Sequence, residues 1–312
     1  MENTVMELRE LLQQKAELQA RISQIPYDGY PEIKENASGR YLYVRKRENG
    51  KNRSVYVNVY SPELYDALVR YSQQLRQLRK ELRSVEKNLA QMGYEESELS
   101  PRVQLNLDFA RANMKSCIYD QAILEGISTT FPQTETILEN GEINGMNADD
   151  VQKILNLKRS WEFVLDKDVL LSKTDYYMLT VIAKLVNEGF FMDGGKIRSV
   201  PVYIGGSAYR PPIPYETDVR QAVDRIVSKK DEPIDVAIDL CLYCMKTQIF
   251  IDGNKRASVI FANQYLISHG GGLLIISEGD VPQFKSLLVN YYEDKDSGQL
   301  KQFMKQQCWK QF

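Results

Sequence analysis

The segment of this sequence with the clearest chemical potential runs from Gln248 to Arg256, and it lies between two stretches that are predicted to be apolar helices. The free amides in the first turn of the second helix, together with its dipole, favour an anion at this loop. Gly253 lets the backbone approach a phosphate, and the carboxylate of Asp252 suits Mg²⁺ held jointly with phosphate oxygens. The segment therefore predicts a polyphosphate cradle. The alternative is an ordinary helix cap with a basic first turn.

The same segment resembles the signature of the Fic family, H-x-F-x-[D/E]-G-N-[G/K]-R. The matching positions are Phe250, Asp252, Gly253, Asn254, Lys255 and Arg256. The resemblance implies that Asp252 holds Mg²⁺ and that the other five bind ATP. It also implies transfer of part of the nucleotide to a Ser, Thr or Tyr hydroxyl of a protein acceptor. Gln248 stands where the family has its catalytic histidine.

An upstream segment, residues 195–214, is rich in Pro, Gly and β-branched residues. It resembles the strand-rich flap of Fic proteins, which docks the target chain by main-chain pairing. The resemblance implies a small β-hairpin flap that presents Val202, Ile204 and Tyr209 to a protein acceptor.

A third segment, residues 121–127, resembles the inhibitory helix motif [S/T]-x-x-x-E-[G/N] of Fic proteins that carry it on the N-terminal side. Glu125 and Gly126 occupy its Glu and Gly positions. Three motifs in the family's order predict a Fic fold from near Pro101 to near Ile276.

The replacement of the family's histidine by Gln248 removes the general base. A carboxamide does not titrate near neutral pH, and general-base catalysis contributes about 10²- to 10⁴-fold in rate. Positioning and electrostatics survive such a loss. We therefore expect a nucleotide-binding protein whose AMP-transferase activity is strongly reduced or altered.

Three further positions depart from the family pattern. Lys255 resembles the variant in Doc, a toxin relative that phosphorylates its target, and Val259 replaces a second arginine that grips the γ-phosphate. Gln121 replaces the Ser or Thr that begins the inhibitory motif. Without its usual partner, Glu125 has two alternatives: it pairs with Arg256 or Lys255, or it caps and solvates its own helix.

The cysteines and the single histidine favour no other site. Cys241 and Cys244 form a C-x-x-C, but their neighbours recur at helical spacing, which favours packing in a helix core. His269 lies in a Gly-rich segment and is predicted to be an exposed loop residue. The Ser-His-Asp, Cys-His and His-ligated zinc arrangements would each need that histidine.

The first hundred residues predict a helical hairpin. Apolar residues from Leu64 to Leu89 alternate spacings of four and three, and the segment from Leu8 to Ile25 follows the same rhythm. The two helices are expected to form an antiparallel coiled coil within one chain, and homodimerisation is the alternative.

Between these helices, residues 40–44 and 54–60 read as β-strands, and Asn49-Gly50 is a preferred pair for a type I′ turn. The resulting β-hairpin is basic and carries tyrosines. It could contact DNA phosphates and bases, whereas the alternative is a solvated edge hairpin kept soluble by its charge.

Helix-start signals organise the second part of the chain. They are Ser100-Pro101, Asn147 with Asp150, and Ser172 with Asp175. The fold class is therefore mainly α: an all-helical Fic-fold core with a small β-hairpin flap, preceded by an antiparallel helical coiled coil that carries a β-hairpin. The expected domains are residues 1–95 and residues 100–312.

The composition, at 43% hydrophobic residues and a net charge of -2, predicts a globular protein with no global attraction to nucleic acid or anionic lipid. No apolar run approaches the length of a membrane span, and four scattered cysteines favour a reducing compartment, so we expect a cytoplasmic protein without membrane contact. Two other functions stay open: a non-catalytic adaptor or DNA-binding regulator that uses the N-terminal region, and a toxin-antitoxin or phage-defence component.

Overall fold

The computed structural model describes residues 2–48, 51–92, 99–140, 145–296 and 298–311, and it divides into two compact units, Met1–Glu96 and Ser97–Phe312. Within these ranges, the side chains of residues 2–9, 23, 47, 48, 51 and 140 are not described. The described chain is mainly helical with small antiparallel sheets, which confirms the predicted mainly α class.

The first unit contains two helices and a sheet with strand order β1-β2-β3. Its elements are α1 (Glu2–Ser23), β1 (Tyr30–Asn36), β2 (Gly39–Glu48), β3 (Lys51–Val59) and α2 (Pro62–Gln91). Leu18 of α1 packs with Leu78, Val85 and Leu89 of α2, because both helices place apolar residues on one face. The coiled-coil geometry itself stays a prediction.

The sheet of the first unit has one strand more than the sequence predicts. Strand β1, Tyr-Pro-Glu-Ile-Lys-Glu-Asn, lacks the apolar-polar alternation of a half-buried strand, yet it pairs antiparallel with β2. The strands β2 and β3 pair from Glu48↔Lys51 outward, whereas the predicted Asn49-Gly50 turn lies outside the described residues. Leu42 and Val44 of β2 pack against Leu68 of α2.

The second unit is helical around one buried helix. Its α-helices are α3 (Pro101–Leu124), α4 (Phe131–Asn140), α5 (Ala148–Val164), α6 (Lys167–Leu171), α7 (Tyr176–Val186), α8 (Glu216–Val227), α9 (Pro233–Thr247), α10 (Asn254–Ser268), α11 (Val281–Tyr292) and α12 (Gly298–Phe303). It also has a 3₁₀ turn (Glu278–Asp280), a π-helical turn (Met304–Cys308) and the short paired strands β4 (Leu273–Leu274) and β5 (Trp309–Lys310).

Helix α10 is the centre of this unit. Every residue from Arg256 to Ile267 is buried, and α3, α5, α7 and α9 pack around it. A helix that is buried on all sides has its position fixed by its neighbours. The loop that precedes its N-terminus is therefore held on a rigid support.

The helix starts follow local capping chemistry. The Ser100 hydroxyl accepts a hydrogen bond from the Val103 amide, and Asn147 accepts one from the Asp149 amide, as expected for N-cap residues. The prediction that Ser172 opens a helix is wrong. Ser172 ends α6, and Asp175 alone caps α7 by accepting from the Met178 amide.

Among the described residues, no helix is both long and apolar enough to cross a membrane.

Candidate nucleotide-binding loop

The predicted cradle begins where α9 ends. Gln248 has φ 49° and ψ 61°, the left-handed conformation that turns the chain out of the helix. Its side-chain Nε2 donates to the Met245 carbonyl at 2.7 Å, and its Oε1 accepts from Asn254 Nδ2 at 3.2 Å. The Gln248 carboxamide is thus fixed at the start of the loop by both of its polar atoms.

Gly253 marks the other end of the loop, as the N-cap of α10. Its φ of 72° is left-handed, and a Cβ there would lie 2.7 Å from Oδ1 of the buried Asn187. The amide of Asn187 donates to the carbonyls of Gly194 and Asp252, both at 3.0 Å. The loop therefore packs so closely against Asn187 that only glycine fits at position 253.

The N-terminus of α10 offers donors for an anion. The Ala257 amide makes the first backbone bond of the helix, to the Gly253 carbonyl at 2.8 Å. Among the described residues, no acceptor makes a hydrogen bond with the amides of Asn254, Lys255 and Arg256. Free amides at the positive end of a helix dipole are suited to a phosphate.

Asn254 closes the loop on itself. Its Oδ1 accepts from the Phe250 amide at 2.9 Å, and its Nδ2 donates to the Phe250 carbonyl at 2.8 Å. The Phe250 side chain is buried. Both residues therefore shape the cradle from within, and the side-chain amide of Asn254 is already engaged by the loop.

Arg256 and Asp252 link the loop to the core. The Arg256 side chain is 1% exposed; its Nη1 donates to the Val186 carbonyl and its Nη2 to Asp252 Oδ2, each at 2.9 Å. Asp252 is 52% exposed, so one face of its carboxylate is open to solvent. This residue is the one in the loop that is placed to contact a hydrated cation.

Glu125 lies between the two cations of the signature. Its carboxylate is 14% exposed, 3.6 Å from Lys255 Nζ and 3.5 Å from Arg256 Nε. These contacts are ion pairs without hydrogen bonds, since Glu125 Oε1 and Arg256 Nε are both buried and lack a hydrogen-bond partner. Of the two alternatives for Glu125, the pairing alternative fits this geometry, and it involves both cations. Gly126 follows in the left-handed conformation, at φ 85°.

Two positions that depart from the family pattern have structural roles here. The buried Gln121 donates Nε2 to the Arg256 carbonyl at 2.8 Å and accepts from Trp161 Nε1 at 3.0 Å. This bridge ties α3 and α5 to the first turn of α10. Val259 is 4% exposed and packs in the same region of the core, so it brings no charge toward the loop.

Residues 199–215 border the loop and contain no strand. The β-hairpin predicted for the flap is therefore not formed: the chain is extended, with one turn in which the Ser207 amide donates to the Ile204 carbonyl at 3.3 Å. Prolines supply no backbone N–H, and this segment contains four, at positions 201, 211, 212 and 214. Val202 and Ile204 are partly exposed, and Tyr209 stacks on Tyr292 with ring centroids 6.4 Å apart.

Arg198 is a buried residue of the site that sequence reasoning missed. It is 3% exposed, and its guanidinium donates only to backbone carbonyls. Its acceptors are Gln248 at 2.5 Å, Pro212 at 2.6 Å, Val200 at 2.8 Å, Pro211 at 3.2 Å and Thr247 at 3.5 Å. Burial lowers the pKa of this guanidinium. One side chain thus holds the flap against the end of α9.

The two cysteines of the C-x-x-C and the single histidine lie where the sequence predicts, the cysteines in a helix core and the histidine at the surface. Cys241 and Cys244 are buried, and burial raises the pKa of both thiols, which keeps them protonated. His269 is exposed and stacks on Tyr265. Among the described residues, no cluster of three or more His, Cys, Asp or Glu side chains is placed to hold a metal on its own.

Comparison with protein-family models identifies two segments. Residues 174–266 match the model of the Fic/DOC family, and residues 5–66 match a domain of unknown function (DUF6788). The first match includes the flap and the loop from Gln248 to Arg256. The comparison with curated proteins found no match.

Solved structures of Fic-domain proteins share the fold. Fic-1 from C. elegans has 16% identity and a TM-score of 0.54, with 79% of this chain and 74% of that chain covered. A Fic-domain signalling protein from Bacteroides thetaiotaomicron has 19% identity and a TM-score of 0.51, covering 62% and 75%. A Fic family protein from Desulfovibrio desulfuricans has 15% identity and a TM-score of 0.52, covering 68% and 73%. At these identities the likeness establishes the Fic fold.

Proposed function

We propose that the Fic-type loop from Gln248 to Arg256 binds ATP with Mg²⁺, and that the protein is AMP-transferase-like with strongly reduced or altered activity. The observation that carries this proposal is the N-terminus of α10, where unpaired amides follow a left-handed glycine that no larger residue could replace. A backbone cradle of this kind suits a polyphosphate.

The residues of the loop fit Mg²⁺ and a triphosphate. Asp252 is the half-exposed carboxylate at the rim, and a hard cation bound by one carboxylate and phosphate oxygens needs no larger protein cluster. Arg256 orients Asp252 from the buried side through their 2.9 Å ion pair. When bound, ATP supplies the electrophilic phosphorus and the pyrophosphate leaving group.

The chain's own residues limit the step in which the acceptor hydroxyl loses its proton. An acceptor hydroxyl that attacks phosphorus must lose its proton, and the Gln248 carboxamide cannot accept it near neutral pH. Nε2 of Gln248 also donates a hydrogen bond to the Met245 carbonyl. The loop therefore supports binding and positioning better than fast transfer. The ammonium of Lys255 lies beside Glu125, so Lys255 does not support the hypothesis of Doc-like phosphotransfer.

Titration calorimetry with Mg-ATP tests the proposal. We expect wild type to bind, and Asp252→Asn to weaken Mg-ATP binding about tenfold or more while changing the affinity for ATP in EDTA far less, because the substitution removes the cation's carboxylate. The matched control is Asp224→Asn, which alters an exposed carboxylate paired with Lys173 and should bind like wild type. If wild type gives no heat with Mg-ATP, the proposal fails.

A second expected result concerns Glu125, whose carboxylate lies beside the cations that would face a phosphate. Glu125→Gln keeps the size of the side chain and removes one negative charge from a site where charges are poorly screened. We expect it to tighten Mg-ATP binding about tenfold, since a charge within several ångströms at a partly buried site is worth a few kcal/mol before screening.

The control for this substitution is Glu139→Gln, on an exposed carboxylate paired with Lys115. Calorimetry on both variants in the same buffer gives the comparison. An unchanged or weaker affinity in Glu125→Gln would mean that the carboxylate does not oppose the nucleotide, and its role would then be to neutralise Lys255 and Arg256.

A further inference from the structure

The sheet of the first unit has a second face, which has no role in the function proposed for the nucleotide loop. Strand pairing places three rows of residues on this face: Tyr30, Arg45 and Ser54; Glu32, Tyr43 and Tyr56; Lys34, Tyr41 and Val59. The opposite face carries Leu42 and Val44 and packs on α2. We name the face that carries the three rows the tyrosine face.

Three aromatic rings of the tyrosine face, those of Tyr41, Tyr43 and Tyr56, lie next to one another. Tyr56 lies 5.5 Å from Tyr43 and 6.3 Å from Tyr41 between ring centroids, and it is 51% exposed. Tyr30 is 60% exposed. Large exposed aromatic rings on a sheet offer π-faces on which unpaired bases stack.

Positive charge accompanies these rings. Residues 30–59 contain seven Lys and Arg residues and three Glu residues, although the strand pairing places Arg40, Lys46 and Arg53 on the opposite face. On the tyrosine face itself, Lys34 Nζ lies 4.4 Å from the centroid of the Tyr43 ring, and Arg45 is exposed. The acid of this face, Glu32, accepts a hydrogen bond from Ser54 at 2.7 Å and lies 3.8 Å from Lys34.

We propose that the tyrosine face binds single-stranded nucleic acid, with bases stacked on Tyr43 and Tyr56 and phosphates near Lys34 and Arg45. Stacked aromatics combined with basic groups suit unpaired bases, whereas the bases of a duplex are stacked on one another and hide their faces. A phosphate backbone supplies the negative charge that complements this region. The proposal is independent of the nucleotide loop.

Fluorescence anisotropy with a labelled 12-nucleotide oligothymidylate and the full chain tests this proposal. We expect binding that weakens from 50 to 200 mM salt, and Tyr43→Ala and Tyr56→Ala to weaken it about tenfold each, the loss typical of one stacked base. Tyr43→Phe keeps the ring and should stay within about twofold of wild type.

Charge variants provide a matched pair. Lys34→Ala should lower the slope of log affinity against log salt by about 0.7, the value for one phosphate contact with a single strand, while Lys230→Ala, at an exposed lysine of the second unit, should leave it unchanged. Thermal unfolding of each variant shows whether the sheet is intact.

Four results would overturn the proposal: no binding of the oligonucleotide by wild type, equal binding by folded tyrosine-to-alanine variants, tighter binding of the matching duplex, or displacement by Mg-ATP. The first result leaves a protein partner for the tyrosine face. The second and third reduce the contact to phosphate charge alone, and the fourth places the oligonucleotide in the nucleotide loop.

Discussion

Gln248→His is expected to raise transfer of AMP to a protein hydroxyl by about 10² to 10⁴-fold over wild type, the range that a positioned general base contributes. The backbone at this position suits the change, because φ 49° is left-handed and histidine is among the residues that tolerate that region. Its Nδ1–H can donate to the Met245 carbonyl, which now accepts from Gln248. Nε2 would then be free to accept the proton.

The measurement is incorporation of label from ATP labelled at the α-phosphate, into the protein itself and into candidate acceptors, followed over time. Gln248→Asn is the control, since asparagine also tolerates the left-handed region but provides no titrating base. Its labelling should not exceed that of wild type. If Gln248→His labels no faster than Gln248→Asn while still binding Mg-ATP, then more than the base is missing.

The loop was predictable from sequence because its determinants are local. Phe250, Gly253 and Asn254 lie within a few positions of one another, and the bonds between Asn254 and the Phe250 backbone span four residues. A left-handed glycine before a helix start is likewise a property of one short segment. The same holds for the caps at Ser100 and Asn147.

The surroundings of the loop depend on contacts between distant positions. Glu125 faces residues about 130 positions later in the chain, and Gln121 bridges Trp161 and the Arg256 carbonyl. In the sequence, Gln121 is a mismatch to the Ser or Thr that begins the inhibitory motif. In the fold, its amide supplies both a donor and an acceptor that two buried groups require.

Other differences come from weak or contradictory local signals. Strand β1 carries polar residues at most positions, and its pairing with β2 is what makes it a strand. The segment from 201 to 214 has β-branched residues, but its prolines cannot donate to a ladder. An arginine next to such a segment is expected to be exposed, so the burial of Arg198 could not be predicted from its neighbours.

Arg198→Met is expected to lower the free energy of unfolding by about 3 kcal/mol, because several buried carbonyls lose their donor at once and each such loss costs about 1 to 3 kcal/mol, partly offset by no longer burying a charge. The shortest of these bonds go to Gln248 and Pro212, so the substitution separates the flap from the end of α9. Urea unfolding measures the stability, and limited proteolysis of residues 199–215 measures the release of the flap.

Arg210→Met is the matched control within the same segment. Arg210 is exposed, and its bonds to the Ser207 and Tyr209 carbonyls are local, so its loss should change the unfolding free energy by less than about 0.5 kcal/mol. Arg198→Lys should fall between the two, because an ammonium has three donors and no planar fork. A wild-type unfolding curve for Arg198→Met would show that the carbonyls find other donors. With the expected loss, and with cleavage confined to the flap, Arg198 is the residue that couples the flap to the backbone of Gln248 at the end of α9.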